Sequence, residues 1–232
     1  MPDTTVAVIG GGVVGAAVLF TLAHRGVDAT LLEADSALAY GASGTNSGIL
    51  HTGFDAKPGE LETALILRAA TLREPVLAAL NLPVLRCGAE LLPRTDPERE
   101  TVAALADNAR RNGVAVQVRE PDGALLVPGE SVTDPVAYTL ALADAAVRAG
   151  ATVRTGAAVE GIDQDTDGLT LHLADGERFT CSIAVNCAGL HADTIARLVA
   201  DDSFAIYPRK GEFFVFALPG GATLDRILLP VP

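Results

Sequence analysis

Apolar residues at the start of the chain come in compact blocks separated by glycine and polar breaks. Val6-Ala-Val-Ile9 is a short β-branched run of the kind buried on both faces in a parallel sheet. A glycine cluster follows, and Val13 to Arg25, rich in Ala, Val and Leu, reads as a helix. His24 and Arg25 sit in its last turn and Gly26 stops it, the usual arrangement at a helix C-terminus. Ala29 to Leu32 forms a second strand that ends at Glu33. Strand, helix and strand in so short a span predict a βαβ unit with parallel strands.

The pattern loosens from Gly41 to Gly53, which is rich in Gly, Ser, Thr and Asn and has neither helical nor strand periodicity. Pro58 to Asn81 turns helical again, with Leu61, Leu65, Leu72 and Leu80 among its apolar positions and Pro75 expected to kink or restart it. Between Leu82 and Pro128, strand-like pieces (Val84-Leu85, Glu90 to Leu92, Val114 to Val118) surround a helix at Pro97 to Asn112 that Gly113 ends. That texture predicts an insertion with its own sheet. Asp134-Pro135 supplies an N-cap and first-turn proline for an Ala-rich helix to Ala149, and Gly150 closes it. Thr152 to Arg154 resumes strand character. Val159 to Ile162, Leu169 to Leu173 and Arg178 to Thr180 predict an antiparallel meander with turns at Thr166-Asp-Gly168 and Ala174-Asp-Gly176. Ile183 to Asn186 reads as another buried strand, Ala192 to Ala200 as a helix, and Glu212 to Ala217 as strand-like. The chain stops at Val231-Pro232 in mid-pattern.

Composition narrows the function classes. Of 232 residues 49% are hydrophobic, enough for a sizeable core in one large domain or two modest ones. The formal charge is −12 and is spread along the chain, which argues against nucleic acid, since phosphate neutralisation needs clustered Lys and Arg. Cys87, Cys181 and Cys187 are odd in number and lack metal-ligand spacing, so free thiols in a reducing compartment and no metal site are expected. The first strand begins within a few residues of Met1, which leaves no room for a signal peptide, and no apolar run reaches the ~18 residues of a membrane span. The expectation is a cytoplasmic, soluble protein without a transmembrane segment. Peripheral membrane contact through a further region is left open.

The chemistry starts at Gly10-Gly11-Gly12-Val13-Val14-Gly15, which fits GxGxxG at Gly10, Gly12 and Gly15. The first glycine permits a tight turn, the second lets a pyrophosphate approach the backbone, and the third packs helix against strand. The motif follows a strand and opens a helix, whose N-terminus favours negative charge. Glu33, at the end of the next strand, can accept both hydroxyls of an adenosine ribose and disfavours a 2′-phosphate. This unit alone does not separate NAD from FAD. Gly41-Ala-Ser43-Gly-Thr45-Asn46-Ser47-Gly48-Ile-Leu-His51-Thr-Gly53 packs backbone donors, hydroxyls and an amide into a loop suited to a pyrophosphate and a flavin ring.

Together with Val185-Asn-Cys-Ala-Gly189, these motifs resemble the D-amino-acid oxidase superfamily of FAD enzymes over nearly the whole chain. Asn46 to His51, Lys57-Pro-Gly59 and Asn186 to Asp193 are similar to its L-2-hydroxyglutarate dehydrogenase/oxidase and glycerol-3-phosphate dehydrogenase branch, the first of these in particular. Arg209-Lys-Gly-Glu212 resembles the basic-Gly-Glu element that follows. The implied fold is α/β, a Rossmann-like FAD-binding domain interleaved with an α+β substrate domain on an antiparallel sheet and incomplete at its C-terminus. The implied division gives residues 1–81 and 131–202 to the FAD domain, and 82–130 and 203–232 to the substrate domain.

The resemblance also implies roles. Gly10, Gly12, Val13, Val14 and Gly15 would cradle the pyrophosphate, and Glu33 with Ala34 would hold the ribose. Ser43, Thr45, Asn46, Ser47 and Gly48 would line the passage to the flavin, Val159 would meet adenine through its backbone, and Ala188-Gly189 would make a second close approach. His51 would lie near the isoalloxazine and take a hydroxyl proton or orient substrate, or serve only as a loop anchor. Arg209 and Lys210 are candidate cations for a substrate carboxylate or phosphate, with a surface pairing to Glu212 as the plain alternative. The implied reaction is oxidation of the CH–OH group of a small 2-hydroxy acid, L-2-hydroxyglutarate first, with a quinone or oxygen as electron acceptor. Glycerol 3-phosphate, an amino acid or an amine are the alternative substrates. A truncated dinucleotide-binding remnant is the non-enzymatic alternative.

Overall fold

A computed structural model describes residues 2–216, 220 and 224–232. The chain divides into two compact units, each discontinuous in sequence: Met1–Asn46 with Pro135–Glu212, and Ser47–Asp134 with Phe213–Pro232. The first crossing thus falls at Asn46/Ser47, whereas the sequence reading put the first boundary after Asn81.

The first unit is built on β1 (Thr4–Ile9), α1 (Val13–Ala23) and β2 (Ala29–Leu32), the expected βαβ arrangement. Val6 to Ile9 and all of β2 are buried, which explains why neither strand alternates in polarity. β1 pairs in parallel with β2, and β2 with β9 (Thr152–Arg154). Gly15, Ala16, Leu19 and Ala23 form the buried stripe of α1, and α1 packs on α4 (Pro135–Arg148). Leu19 and Leu31 are fully buried, each worth about 1.5–3 kcal/mol. The meander is present as β10 (Val159–Gln164), β11 (Leu169–Leu173) and β12 (Arg178–Asn186), antiparallel as expected.

One reading of this region needs correction. Arg178–Thr180 and Ile183–Asn186 are one continuous strand, β12, rather than two. Its first half pairs antiparallel with β11, while Cys181 to Asn186 run parallel to β1. A six-stranded sheet results, in the order β10-β11-β12-β1-β2-β9. The helix that follows, α5 (Ala192–Arg197), stops short of Ala200, which takes a left-handed φ of 60°.

In the second unit a three-stranded sheet has the order β3-β8-β4, from Ile49–Leu50, Ser131–Thr133 and Val84–Leu85. A four-stranded sheet has the order β13-β5-β7-β6, from Ile227–Leu229, Ala89–Leu91, Leu125–Val127 and Gln117–Val118. α2 (Leu61–Ala79) runs through Pro75 without restarting. α3 (Asp96–Arg111) is capped by Thr95, whose hydroxyl accepts from the Glu98 N–H at 3.3 Å. Phe54, Leu91, Val102, Ala106, Leu125 and Val127 form its core with α3. β7, β8 and β13 had no strand signal of their own, being too short for alternation to register. Residues 212–216 form no strand, and Ala217, the end of that expected element, lies outside the described residues.

Candidate functional site

The glycine turn is held by contacts that leave no room for side chains. A Cβ on Gly10, whose φ is +111°, would stand 2.4 Å from the carbonyl oxygen of Cys187. On Gly15 it would stand 1.9 Å from the carbonyl oxygen of Gly10. The turn is therefore clamped between the first turn of α1 and the segment after β12, and the Cys187 N–H bonds to the Ile9 carbonyl at 2.8 Å. Ala188 accordingly lies beside the turn, its Cα 3.0 Å from where a Cβ on Gly10 would stand.

Backbone donors define the mouth of this cradle. Gly12 caps α1 without any side-chain hydrogen bond, and the first turn of α1 carries no acidic residue to compete for its N–H groups. The Ser43 hydroxyl, from the 3-10 turn Ala42–Gly44, accepts from the Val13 N–H at 2.8 Å. Glu33 Oε2 accepts from the Gly11 N–H at 2.5 Å, and Oε1 from the Asp35 N–H at 2.8 Å. The Ala157 N–H donates to the Glu33 carbonyl at 2.8 Å, which ties the approach to β10, and so to Val159, to the end of β2. Gly10, Gly12, Glu33, Ser43 and Ala188 thus form one constellation of donors, a carboxylate and a helix N-terminus. Such a cradle suits an anion next to a diol.

Other predicted residues have different surroundings. The Thr45 hydroxyl donates to the Gly41 carbonyl at 3.3 Å, and Asn46 Nδ2 to the Ala42 and Ser43 carbonyls at 3.0 and 2.8 Å. Their side chains knit the 41–46 turn that presents Ser43. Lys210 pairs with Glu212 at 2.6 Å with both side chains exposed, and Arg209 is exposed beside it. Among the described residues no group of His, Cys, Asp and Glu could hold a metal ion, and Cys87, Cys181 and Cys187 are free. Burial pushes the Cys181 and Cys187 thiols up, away from nucleophilic thiolates.

His51 belongs to the second unit, with Ser47 and Gly48. It follows β3, which is held by β8 from the far end of the unit's first segment. His51 Nδ1 stands 3.3 Å from Oε2 of Glu130, a carboxylate that is 0% exposed while the imidazole is 48% exposed. Glu130 Oε1 accepts from both the N–H and the hydroxyl of Thr52, each at 2.7 Å. Arg73 Nη1 donates to the His51 carbonyl at 2.7 Å. The hydrogen bond with Glu130 raises the His51 pKa against the opposing effect of burial, with Asp55 adding to the rise and Arg73 reducing it. Burial pushes the Glu130 carboxyl up, but hydrogen bonds from His51 and Thr52 outweigh it and leave the group below its ordinary value.

Glu130 was missed by the sequence reading. Its only signal is a lone acidic residue between apolar Ala124–Val127 and Val132, after Pro128-Gly129, in a stretch whose neighbours turn out to be buried strands.

A family model described as FAD dependent oxidoreductase (DAO) matches residues 5–232. A glycerol 3-phosphate dehydrogenase of Caloramator mitchellensis is 28% identical over 242 residues, 98% of this chain and 50% of the relative. An L-2-hydroxyglutarate dehydrogenase of Escherichia coli K12 is 27% identical over 240 residues, 97% of this chain and 57% of the relative. The chain therefore spans little more than half the length of these curated relatives. The L-α-glycerophosphate oxidase of Mycoplasma pneumoniae, solved reduced and with FAD bound, shares the fold at a TM-score of 0.85 and 23% identity, over 100% of this chain and 66% of its own.

Proposed function

The chain belongs to the DAO family of FAD-dependent oxidoreductases, and we propose that the protein oxidises the CH–OH group of a small 2-hydroxy acid, L-2-hydroxyglutarate being the first candidate. The observation that carries the choice of an alcohol is His51, a half-exposed imidazole whose basicity a buried carboxylate raises. Oxidation of an alcohol must dispose of a hydroxyl proton, whereas a neutral amine presents no such proton. An imidazole tuned upward is a fitting acceptor.

The glycine cradle fits the dinucleotide, since side chains at Gly10 or Gly15 would collide with backbone where a pyrophosphate needs close approach. Gly10, Gly12, Val13, Val14 and Gly15 would hold the phosphates, with Ala188-Gly189 and Ser43 beside them, and Glu33 with Ala34 the ribose. Val159, Thr45, Asn46, Ser47 and Gly48 complete the proposed contacts. Bound there, FAD supplies the two-electron acceptor for the hydride that leaves the α-carbon. His51 takes the hydroxyl proton at Nε2, so the substrate loses one proton and one hydride and becomes the 2-oxo acid. Arg209 and Lys210 are the cations proposed for the substrate carboxylate. Among the described residues no helix is long and apolar enough to cross a membrane. We assign the protein to the cytoplasm, with a quinone or oxygen as final electron acceptor.

Oxidation of glycerol 3-phosphate is the second reading, favoured by the 28% identical relative. The purified chain, supplied with FAD and freed of excess, should show flavin absorption bands that bleach anaerobically with L-2-hydroxyglutarate. Bleaching with glycerol 3-phosphate or an amino acid alone would overturn the substrate assignment.

A further inference from the structure

Glu130 entered the proposed function only as the buried carboxylate that raises the basicity of His51, and its setting is unusual for a carboxylate. It sits immediately before β8 with its side chain fully buried. A buried ionised carboxylate is costly unless its oxygens are satisfied. Oε1 receives both donors of Thr52, whereas Oε2 is buried and has no hydrogen-bond partner among the described residues. The group that stands before Oε2 is Nδ1 of His51, at 3.3 Å. The residues are 79 apart in sequence, and β3 and β8 bring them together through the Ile49–Val132 and Leu50–Ser131 register.

We propose that Glu130 is a positioning residue that fixes the imidazole of His51 through Nδ1, keeping the neutral ring as the Nδ1–H tautomer with Nε2 free to accept a proton. Two observations converge on this. The carboxylate has one oxygen already anchored by Thr52, so it is a rigid acceptor, and its other, buried oxygen faces His51 Nδ1 at 3.3 Å. The ring's own backbone is pinned from another side by Arg73. An imidazole held at one nitrogen by a buried carboxylate has its proton distribution set by that contact. Among the described residues the charged groups that face His51 are Glu130, Asp55 and Arg73, and of these Glu130 stands against the ring. The inference deepens the proposed function because it makes His51 a directed base, but its test does not depend on turnover.

The experiment is a pH titration of the isotopically labelled full chain by nitrogen-detected imidazole NMR, with His51 assigned by its loss in His51→Gln. In the native chain His51 should titrate above the ordinary midpoint of about 6.5, and its neutral form should show a protonated Nδ1 and an unprotonated Nε2. Glu130→Gln should lower the proton affinity of His51 about three- to tenfold and give a mixture of tautomers. A native His51 that titrates at or below the ordinary midpoint overturns the proposal without any variant, so misfolding of Glu130→Gln cannot shelter it. An unchanged tautomer and midpoint in a folded Glu130→Gln chain overturns it equally. If the NMR result holds but His51→Gln reduces flavin with substrate as fast as the native chain, the dyad stands and the base assignment falls.

Discussion

In the first unit the glycine turn is packed against backbone, the carbonyls of Gly10 and Cys187, and offers backbone N–H groups, those of Gly11 and Val13 being taken by the Glu33 carboxylate and the Ser43 hydroxyl. In the second unit the corner around His51 is made by side chains: Glu130, the Thr52 hydroxyl and Arg73. A backbone site tolerates no added atoms, because the neighbouring chain is already at contact distance. A side-chain site can lose a group and keep its shape, but a buried donor or acceptor is then stranded. The first fails by collision and the second by desolvation, and these failures differ in size and in pH dependence.

The largest effect should come from Gly15→Val. The branched side chain enters where a single carbon would already lie 1.9 Å from the Gly10 carbonyl, so the first unit should lose several kcal/mol, roughly 4 or more, or fail to fold. Urea unfolding checks this, and a variant that retains both native stability and flavin would refute the backbone description of the cradle. Glu130→Leu comes next. It leaves two Thr52 donors without an acceptor, one of them a buried amide, at a cost of about 2–4 kcal/mol in the second unit. A loss below about 1 kcal/mol in the same assay would mean that the corner is not built on Glu130.

Ser43→Ala removes only the acceptor for the Val13 N–H, and solvent can replace it in part. About 1 kcal/mol is expected, with weaker flavin retention on a desalting column. Equal flavin retention would place Ser43 outside the binding surface.

The smallest effect is the pH dependence of the His51–Glu130 pair. His51 is raised by its hydrogen bond to Glu130, so its contribution is complete below its unfolded value and fades as pH rises through the higher folded one. Glu130 is lowered overall, so its contribution is present above its unfolded value and fades as pH falls through the folded one. The pair therefore stabilises most between about pH 5 and 7, by under about 1 kcal/mol because the imidazole is half in solvent. Between pH 6 and pH 9 the native chain should lose more unfolding free energy than His51→Gln. Parallel pH curves for the two would remove the coupling.

This contrast also accounts for what could be read from the sequence. β1, α1, β2 and the turn between them were legible because their chemistry is local: Gly10, Gly12 and Gly15 sit within six residues, and Glu33 ends the adjoining strand. The meander was legible through its Asp-Gly turns. Glu130 was not, since its partner is determined by a strand pairing between two- and three-residue elements too short to leave a period. β12 was divided in two for a related reason. Its residues change surroundings at Cys181, where the partner switches from β11 to β1, and the polarity pattern changes with it.

That switch has a consequence for how the molecule is made. β1 leaves the ribosome well before β12, but its Thr4 is paired with Cys181, and through residues 4–9 it waits for β12. Until then β1, apolar from Val6 to Ile9, is paired only along its β2 edge, and the entire first segment of the second unit emerges in between. Such long-range closure slows folding and leaves a nascent sheet edge open to wrong partners. The amide hydrogens of β1 that face β12 should thus gain exchange protection late in refolding, together with those of Ile183 to Asn186 and well after the β10–β11 turn has closed, whereas the Val6 amide, which donates to the Asp28 carbonyl, need not wait for β12.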